Sequence, residues 1–183
     1  SQEPGELWRS DDRGLTWEMV SDNRRLNNRP FYYTQDRADP VDPDRVYTLA
    51  GSFSVSTDGG QTFGGTGGSM FGDHHALWID PEDPGRLLSG TDGGFWISND
   101  FGGNWDFINN MPMAQAYHVG VDMAEPYNIY GGLQDNGTWG GPSFSKDARG
   151  ILADSWWKLH WGDGMFIQID PTDWRKAYTE AEN

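Results

Sequence analysis

The chain has 183 residues and a net charge of -15, from 13 Lys and Arg against 28 Asp and Glu. Such a charge repels phosphate backbones and anionic membrane surfaces, so nucleic acid is a poor partner. The absence of Cys excludes disulfides, thiolate catalysis and Cys-ligated metal, and no apolar run approaches the ~18 residues of a membrane span.

Two motifs alternate along the chain in a regular period. The first reads Ser-x-Asp-x-Gly-x-Thr-Trp, and its aspartates are Asp12, Asp58 and Asp100, spaced by 46 and 42 residues. The second begins with an Asp followed by Pro-rich sequence, at Asp39, Asp80, Asp122 and Asp170, spaced by 41, 42 and 48 residues. Both spacings match the length of a four-stranded propeller blade. The sequence therefore predicts an all-β fold, a segment of a β-propeller built from four-stranded antiparallel blades.

Each period is expected to contain four strands, because the Asp-Gly motif suits a tight turn and the prolines forbid a strand interior. In the third period we expect strands at 75–79, 86–90, 94–98 and 104–109. We interpret the chain as one domain with a partial blade at 1–20, whole blades at about 31–66, 74–109 and 115–160, and a partial blade at 164–183. Three whole blades are fewer than the four to eight of a closed ring. We therefore expect a longer polypeptide or a partner to complete it.

The Ser-x-Asp segments resemble Asp boxes, also called BNR repeats. These mark propellers in sialidases, sortilin-type receptors, xyloglucan-cleaving glycosidases and photosystem II assembly and stability factors. The segments 78–81 and 132–137 are most similar to the sortilin-like propeller domain of large exported bacterial proteins. The resemblance implies a periplasmic or extracellular location and a structural role for nine motif residues. These are Asp12, Gly14, Trp17, Asp58, Gly60, Phe63, Asp100, Gly102 and Trp105.

The fourth period departs from the repeat, since no Asp box follows Trp139. A longer polar insertion occupies 140–150, and three indoles follow it, at Trp156, Trp157 and Trp161. Long loops often carry function. These indoles are candidates for contact with a partner or a sugar ring, and packing between blades is the alternative.

Polar candidates recur seven residues before each leading aspartate of the second motif, where the innermost strand begins. Tyr32, Asp73, Gln115 and Asp163 hold these positions. We expect Asp73 and Asp163 to face the same end of the channel, together with two turns, 91–92 and 134–136. The binding candidates in this funnel are Asp73, His74, His75, Asp92, Gln134, Asp135, Asn136 and Asp163.

The chemistry of these candidates is open between binding and hydrolysis. Neighbouring residues on a strand point to opposite faces, so one metal ion held by both His74 and His75 is awkward, and we predict no metal and no cofactor. Paired carboxylates suit glycoside hydrolysis when correctly spaced. The cluster Arg24, Arg25 and Arg29 is interpreted as solvated surface, which argues against sialidase chemistry.

Two functions are therefore weighed. The first is a non-catalytic, protein-binding module, an exported accessory subunit that docks on a larger complex, membrane-bound, photosynthetic or otherwise energy-converting. Its partners would be protein subunits, and no residue would be catalytic. The alternative is a carbohydrate-binding or glycoside-hydrolase propeller fragment whose funnel of carboxylates and histidines takes a glycan.

Overall fold

The computed structural model describes residues 5–28, 30, 32–65, 70–108, 110–111 and 113–182, with the backbone alone at 182. Arg29 and the ends at 31, 66 and 109 of the expected blades lie outside these residues. The chain divides into two compact units, residues 1–111 and 112–183. Each unit is described by itself, and the interpretation as a single domain stays a prediction.

The first unit forms three antiparallel sheets from its described residues. The first sheet pairs β1 (Leu7–Arg9) with β2 (Glu18–Ser21). The second runs in chain order through β3 (Gln35–Ala38), β4 (Val46–Leu49), β5 (Phe53–Ser56) and β6 (Gly64–Gly65). The third runs through β7 (His74–Ile79), β8 (Leu87–Thr91), β9 (Gly94–Ser98) and β10 (Asp106–Phe107). A 3₁₀ turn at Arg24–Asn27 follows β2.

The second unit holds one four-stranded sheet and one pair of strands. The sheet runs through β11 (Ala116–Val121), β12 (Asn128–Leu133), β13 (Gly137–Pro142) and β14 (Trp157–His160). The pair is β15 (Asp163–Ile169) with β16 (Ala177–Glu182). The 140–150 insertion leads from β13 into a 3₁₀ turn at Ala153–Ser155 before β14 begins.

These sheets confirm the predicted fold class, since each four-stranded sheet follows chain order with every neighbour antiparallel, as in a propeller blade. Three of the four strands expected in the third period differ in their limits: β7 begins one residue earlier, β8 lies one residue later at both ends, and β10 is shorter at both ends. Strand β8 begins one residue later, because the N–H of Arg86 donates to the carbonyl of Asp83 at 2.8 Å and still belongs to the turn. Strand β10 is short because the turn retains Asn104, whose N–H donates to Asp100 at 2.8 Å.

The core of the first unit lies between its two four-stranded sheets. Tyr47, Leu49 and Phe53 of one sheet pack with Leu77, Leu87 and Trp96 of the other and with Trp105, directly before β10. Phe53 meets Trp105 edge to face, with ring centroids 5.2 Å apart. Rings in this geometry contribute beyond the apolar area they bury, so aromatic side chains hold the two sheets together.

In the second unit, glycines allow backbones to meet directly. A Cβ on Gly132 of β12 would clash with the carbonyl oxygen of Met165, and one on Gly164 would clash with the carbonyl of Gly137. Strand β15 therefore lies against β12 and β13 at a distance that side chains forbid. We call this contact the glycine seam.

The Ser-x-Asp motifs form a turn that is closed by its own side chains. In the 56–62 turn, Ser56 Oγ donates to Asp58 at 2.7 Å and accepts the Gly60 N–H at 2.9 Å. The Thr62 N–H and hydroxyl donate to the two oxygens of Asp58, at 2.9 and 2.5 Å. These bonds lower the pKa of Asp58 to about 2, the Thr62 hydroxyl having the largest effect.

The turns at 10–16 and 98–104 repeat this pattern around Asp12 and Asp100. The residue after each aspartate has a positive φ, at 64°, 74° and 60° for Arg13, Gly59 and Phe101. The glycine that follows is left-handed as well. Two consecutive left-handed residues fold the chain back tightly.

The aspartates of the second motif also bond to their own turns. Asp39 accepts the N–H groups of Val41 and Asp42, and Asp80 and Asp170 have matching bonds. Asp122 accepts both the N–H and the amide of Asn128. Burial alone would raise the pKa of Asp122, but these bonds and the Tyr130 hydroxyl hold it below its ordinary value.

Helices in the described part of the chain are too short or too polar to cross a membrane.

Candidate functional site

The funnel candidates of the first unit lie at the end of the sheets opposite the Ser-x-Asp turns. Asp73 precedes β7 with a φ of 58°, and Asp92 lies in the turn between β8 and β9. The N–H of Asp73 donates to the carbonyl of Gly51, and the N–H of Asp92 donates to the carbonyl of Asp73, both at 3.3 Å. The backbone therefore brings these two carboxylates to one place.

Two residues that the sequence had not singled out bond to residues of this site. The hydroxyl of Tyr33 donates to the carboxylate of Asp73, and Tyr33 is only 5% exposed. The amide of Gln35 donates to the carbonyl of His75 at 3.0 Å. Each pair is 40 residues apart, close to one repeat period. The repeat period could have predicted these two pairs, because residues at equal positions in successive repeats face each other.

His75 joins Asp92 to the aromatic residues of the site. Its Nε2 lies 2.7 Å from Oδ1 of Asp92, at ion-pair distance but outside hydrogen-bond geometry. The His75 ring centroid lies 4.6 Å from that of Tyr33 and 5.6 Å from that of Tyr32. We call Tyr32, Tyr33, Asp73, His75 and Asp92 the first-unit site.

His74 precedes His75 on β7 and is buried. Its side chain is 2% exposed, whereas the side chain of His75 is 36% exposed, so the two neighbours point to opposite faces as strand geometry requires. Burial lowers the pKa of His74 to about 4, and its Nδ1 has no hydrogen-bond partner. His74 is therefore neutral at physiological pH and out of reach of a ligand.

The first-unit site combines groups suited to proton transfer and to sugar binding. Carboxylates and an imidazole can act as general acids and bases, and Tyr32, 60% exposed, offers an apolar face beside them. Within the described ranges, no cluster of three or more His, Cys, Asp or Glu has the geometry to hold a metal ion.

The other funnel candidates lie in the second unit, at the turn between β12 and β13. Asp135, with a φ of 58°, donates its N–H to Oδ1 of Asp163 at 2.5 Å. The N–H of Gln134 donates to the carbonyl of Gln115 at 3.0 Å, and the amide of Asn136 donates to the carbonyl of Gln134 at 2.9 Å. The expectation that Asp73 and Asp163 share one mouth stays a prediction.

The three predicted indoles have different environments. The rings of Trp157 and Trp156 lie over Gly140 and Gly141, where a Cβ would collide with them, and they are 40% and 37% exposed. Trp161 is 76% exposed. Packing therefore accounts for the first two rings and leaves Trp161 as the open one.

Relatives of this chain are named as enzymes. Over 135 residues the chain is 33% identical to xyloglucanase Xgh74A of Acetivibrio thermocellus, a match covering 62% of this chain and 16% of the relative. Over 114 residues it is 33% identical to a xyloglucanase of Paenibacillus sp, covering 51% of this chain and 11% of the relative. The chain thus spans under a fifth of the length of these relatives. No family model matches it.

Two solved structures are similar at a low level. A GH74 enzyme of Niastella koreensis has a TM-score of 0.48 and 14% identity, covering 99% of this chain and 30% of that one. An ancestral GH74 enzyme has a TM-score of 0.46 and 13% identity, covering 93% of this chain and 24% of that one.

These relatives correct the leading functional prediction. A non-catalytic accessory subunit is wrong, because the relatives in sequence are xyloglucanases. Protein partners in a membrane-bound or photosynthetic complex are wrong for the same reason, as is the expectation that the chain is not enzymatic. The repeated turns indicate a fold that many functions share, so they could not separate these possibilities. The expectation of an exported protein agrees with these relatives.

Proposed function

We propose that this chain is part of a glycoside hydrolase acting on a polysaccharide of the xyloglucan type. The observation that carries the proposal is the 33% identity over 135 residues with a xyloglucanase. The first-unit site supports it, because hydrolysis of a glycosidic bond uses carboxylates as acid, base or nucleophile.

Within this site we propose Asp73 as the carboxylate that takes part in proton transfer. Tyr33 donates to it and fixes its orientation. His75 and Asp92, 2.7 Å apart, are proposed to bind the sugar next to the scissile bond. In the second unit we propose a separate sugar-binding contact formed by Gln134, Asp135, Asn136 and Asp163. His74 is proposed as internal support.

The test is the release of reducing ends from xyloglucan by the purified protein and its variants. Asp73→Asn is the informative change, because Asn tolerates the left-handed backbone found there. We expect kcat to fall by about a hundredfold or more, the size of a lost acid or base. Asp22→Asn, at an exposed position, is the matched control and should leave the rate within about twofold.

Three outcomes bear on the proposal. Full activity of Asp73→Asn would remove Asp73 from the mechanism. Loss of activity in Asp92→Asn alone would transfer the role to that carboxylate. A protein that binds xyloglucan but releases no reducing ends would contradict hydrolysis.

We further propose that the Ser-x-Asp turns are Asp boxes and that residues 1–183 form one propeller segment. The sequence resemblance and the repeated turn geometry support this identification. The finer likeness to sortilin-like domains stays a prediction. We infer an extracellular or periplasmic location, because an intact polysaccharide is encountered outside the cytoplasm.

A further inference from the structure

The indole of Trp161 is held by a lysine and open to water. It is 76% exposed, more than any other of the ten tryptophans. Nζ of Lys158 lies 3.6 Å from the centroid of its ring. An ammonium group over an indole is attracted by the ring's negative face, so Lys158 covers one face of Trp161.

A second indole holds the lysine in place. Nζ of Lys158 also lies 5.3 Å from the ring centroid of Trp139, whose Nε1 donates to the carbonyl of Asn136 at 2.7 Å. Partial burial lowers the pKa of Lys158 from its ordinary value. The ammonium therefore bridges an anchored ring and an exposed one, and Trp161 is restrained before any ligand arrives.

Polar residues of the second-unit candidates lie close to Trp161 along the chain. The N–H of Gly137 donates to the carbonyl of Gly162 at 2.7 Å, directly after Trp161 in the chain. Asp163, two residues from Trp161, accepts the N–H of Asp135 at 2.5 Å. The chain therefore carries a carboxylate that suits the hydroxyls of a sugar two residues after this exposed ring.

We propose that Trp161, restrained by Lys158, is a stacking platform for the backbone of a β-linked glucan. A β-glucose ring has only equatorial hydroxyls, so both of its faces are apolar and pack flat on an indole. Preorganisation of the ring reduces the ordering cost of binding. The platform rests on the proposed function, since it names a binding position on the same polysaccharide.

The test is calorimetric titration of the purified protein with a xyloglucan heptasaccharide. We expect Trp161→Ala to weaken binding about tenfold, the size of one aromatic stacking contact. Lys158→Met keeps the stem of the side chain but removes the charge, and should weaken binding about threefold by releasing the ring. Trp161→Phe should lie between the wild type and Trp161→Ala.

The matched control is Trp174→Ala, because Trp174 is 47% exposed and lies beyond the other end of β15. It should leave the affinity within about twofold. Thermal unfolding and circular dichroism of each variant establish that the fold is intact.

The outcomes distinguish a failure of the stacking platform from a failure of the proposed function. If the wild type binds the heptasaccharide and Trp161→Ala binds equally well, the platform is overturned and the proposed function stands. If the wild type binds no xyloglucan fragment, the proposed function fails and the platform fails with it. Equal losses in Trp161→Ala and Trp174→Ala would contradict a specific position.

Discussion

The aspartates of this chain form two groups that differ in where their hydrogen-bond partners lie in the sequence. Asp58 takes its donors from Ser56 and Thr62, within four residues. Asp73 accepts from Tyr33, 40 residues away. A carboxylate saturated by its own turn stabilises that turn and little else. A carboxylate fixed by a distant side chain exists as a site only when the fold is complete, which is the property expected of a functional group.

The largest expected effect is a difference in pH dependence between a buried histidine next to the first-unit site and the turn aspartates. His74 has its pKa lowered to about 4, so the folded state disfavours its protonation. Its contribution to stability is complete above the unfolded pKa of about 6.5 and is lost as pH falls towards 4. The loss is about 3 kcal/mol, and urea unfolding between pH 7 and pH 4 measures it.

His74→Phe removes the titrating group and should flatten stability across this range. The turn aspartates titrate lower, because the pKa of Asp12 and of Asp58 is lowered to about 2. Their contribution is complete above about pH 4 and is lost as pH falls through 2. If stability were lost in a single step confined to pH values below 3, the expected difference between His74 and the turn aspartates would be contradicted.

The next largest effect is the loss of stability when the serine hydroxyl inside a turn is removed. Ser98 is 1% exposed, and its Oγ donates to Asp100 and accepts the N–H of Gly102, each at 2.9 Å. Ser98→Ala leaves a buried N–H without its partner. We expect a loss of about 2 kcal/mol and a fall in Tm of about 6 °C by calorimetry.

Ser10→Ala makes the same change in a more exposed turn, where water replaces the lost partner. A smaller fall in Tm is expected there. Equal losses in the two turns would show that burial does not govern their strength.

The same Tyr→Phe substitution at two positions tests the difference between the two groups of aspartates. Tyr33→Phe removes the hydroxyl that positions Asp73, and we expect kcat on xyloglucan to fall about tenfold with KM within twofold. Tyr130→Phe removes the donor to Asp122, 2.9 Å away, and should cost about 1 kcal/mol of stability without changing kcat. The reverse pattern would exchange the roles of the two groups.

The smallest effect isolates backbone strain. Gly14 has a φ of 87°, and an added Cβ would meet only Trp17, at an ordinary distance of 3.7 Å. Gly14→Ala should therefore cost about 1 kcal/mol, from the backbone alone. Gly65→Ala, with open space and an ordinary φ, is the control, and denaturant unfolding of both variants gives the difference.

Much of this architecture follows from the repeat period. Tyr33 with Asp73, and Gln35 with His75, are 40 residues apart, and the stacked rings of His118 and Phe166 are 48 apart. Each separation is close to the local spacing of the second motif, so phase alone could have paired these residues across neighbouring sheets.

Other features depend on side-chain direction, which a period does not encode. Nothing in the sequence placed Lys158 between two indoles, or separated Trp161 from Trp156 and Trp157. The choice between enzyme and subunit failed for another reason. The turn motif specifies how a strand pair closes, whereas the residues that we propose for the chemistry lie at the opposite end of the sheets.

The glycine seam fixes the register of β15 by steric exclusion. Gly132 and Gly164 occupy positions where backbone meets backbone, and a slip of β15 by one residue would bring the side chain of Asp163 or Met165 to that contact. The glycine seam therefore allows β15 to pack in one alignment only. The turn between β12 and β13 fixes the same alignment, because the N–H groups of Asp135 and Gly137 donate to Asp163 and to the carbonyl of Gly162 at the start of β15.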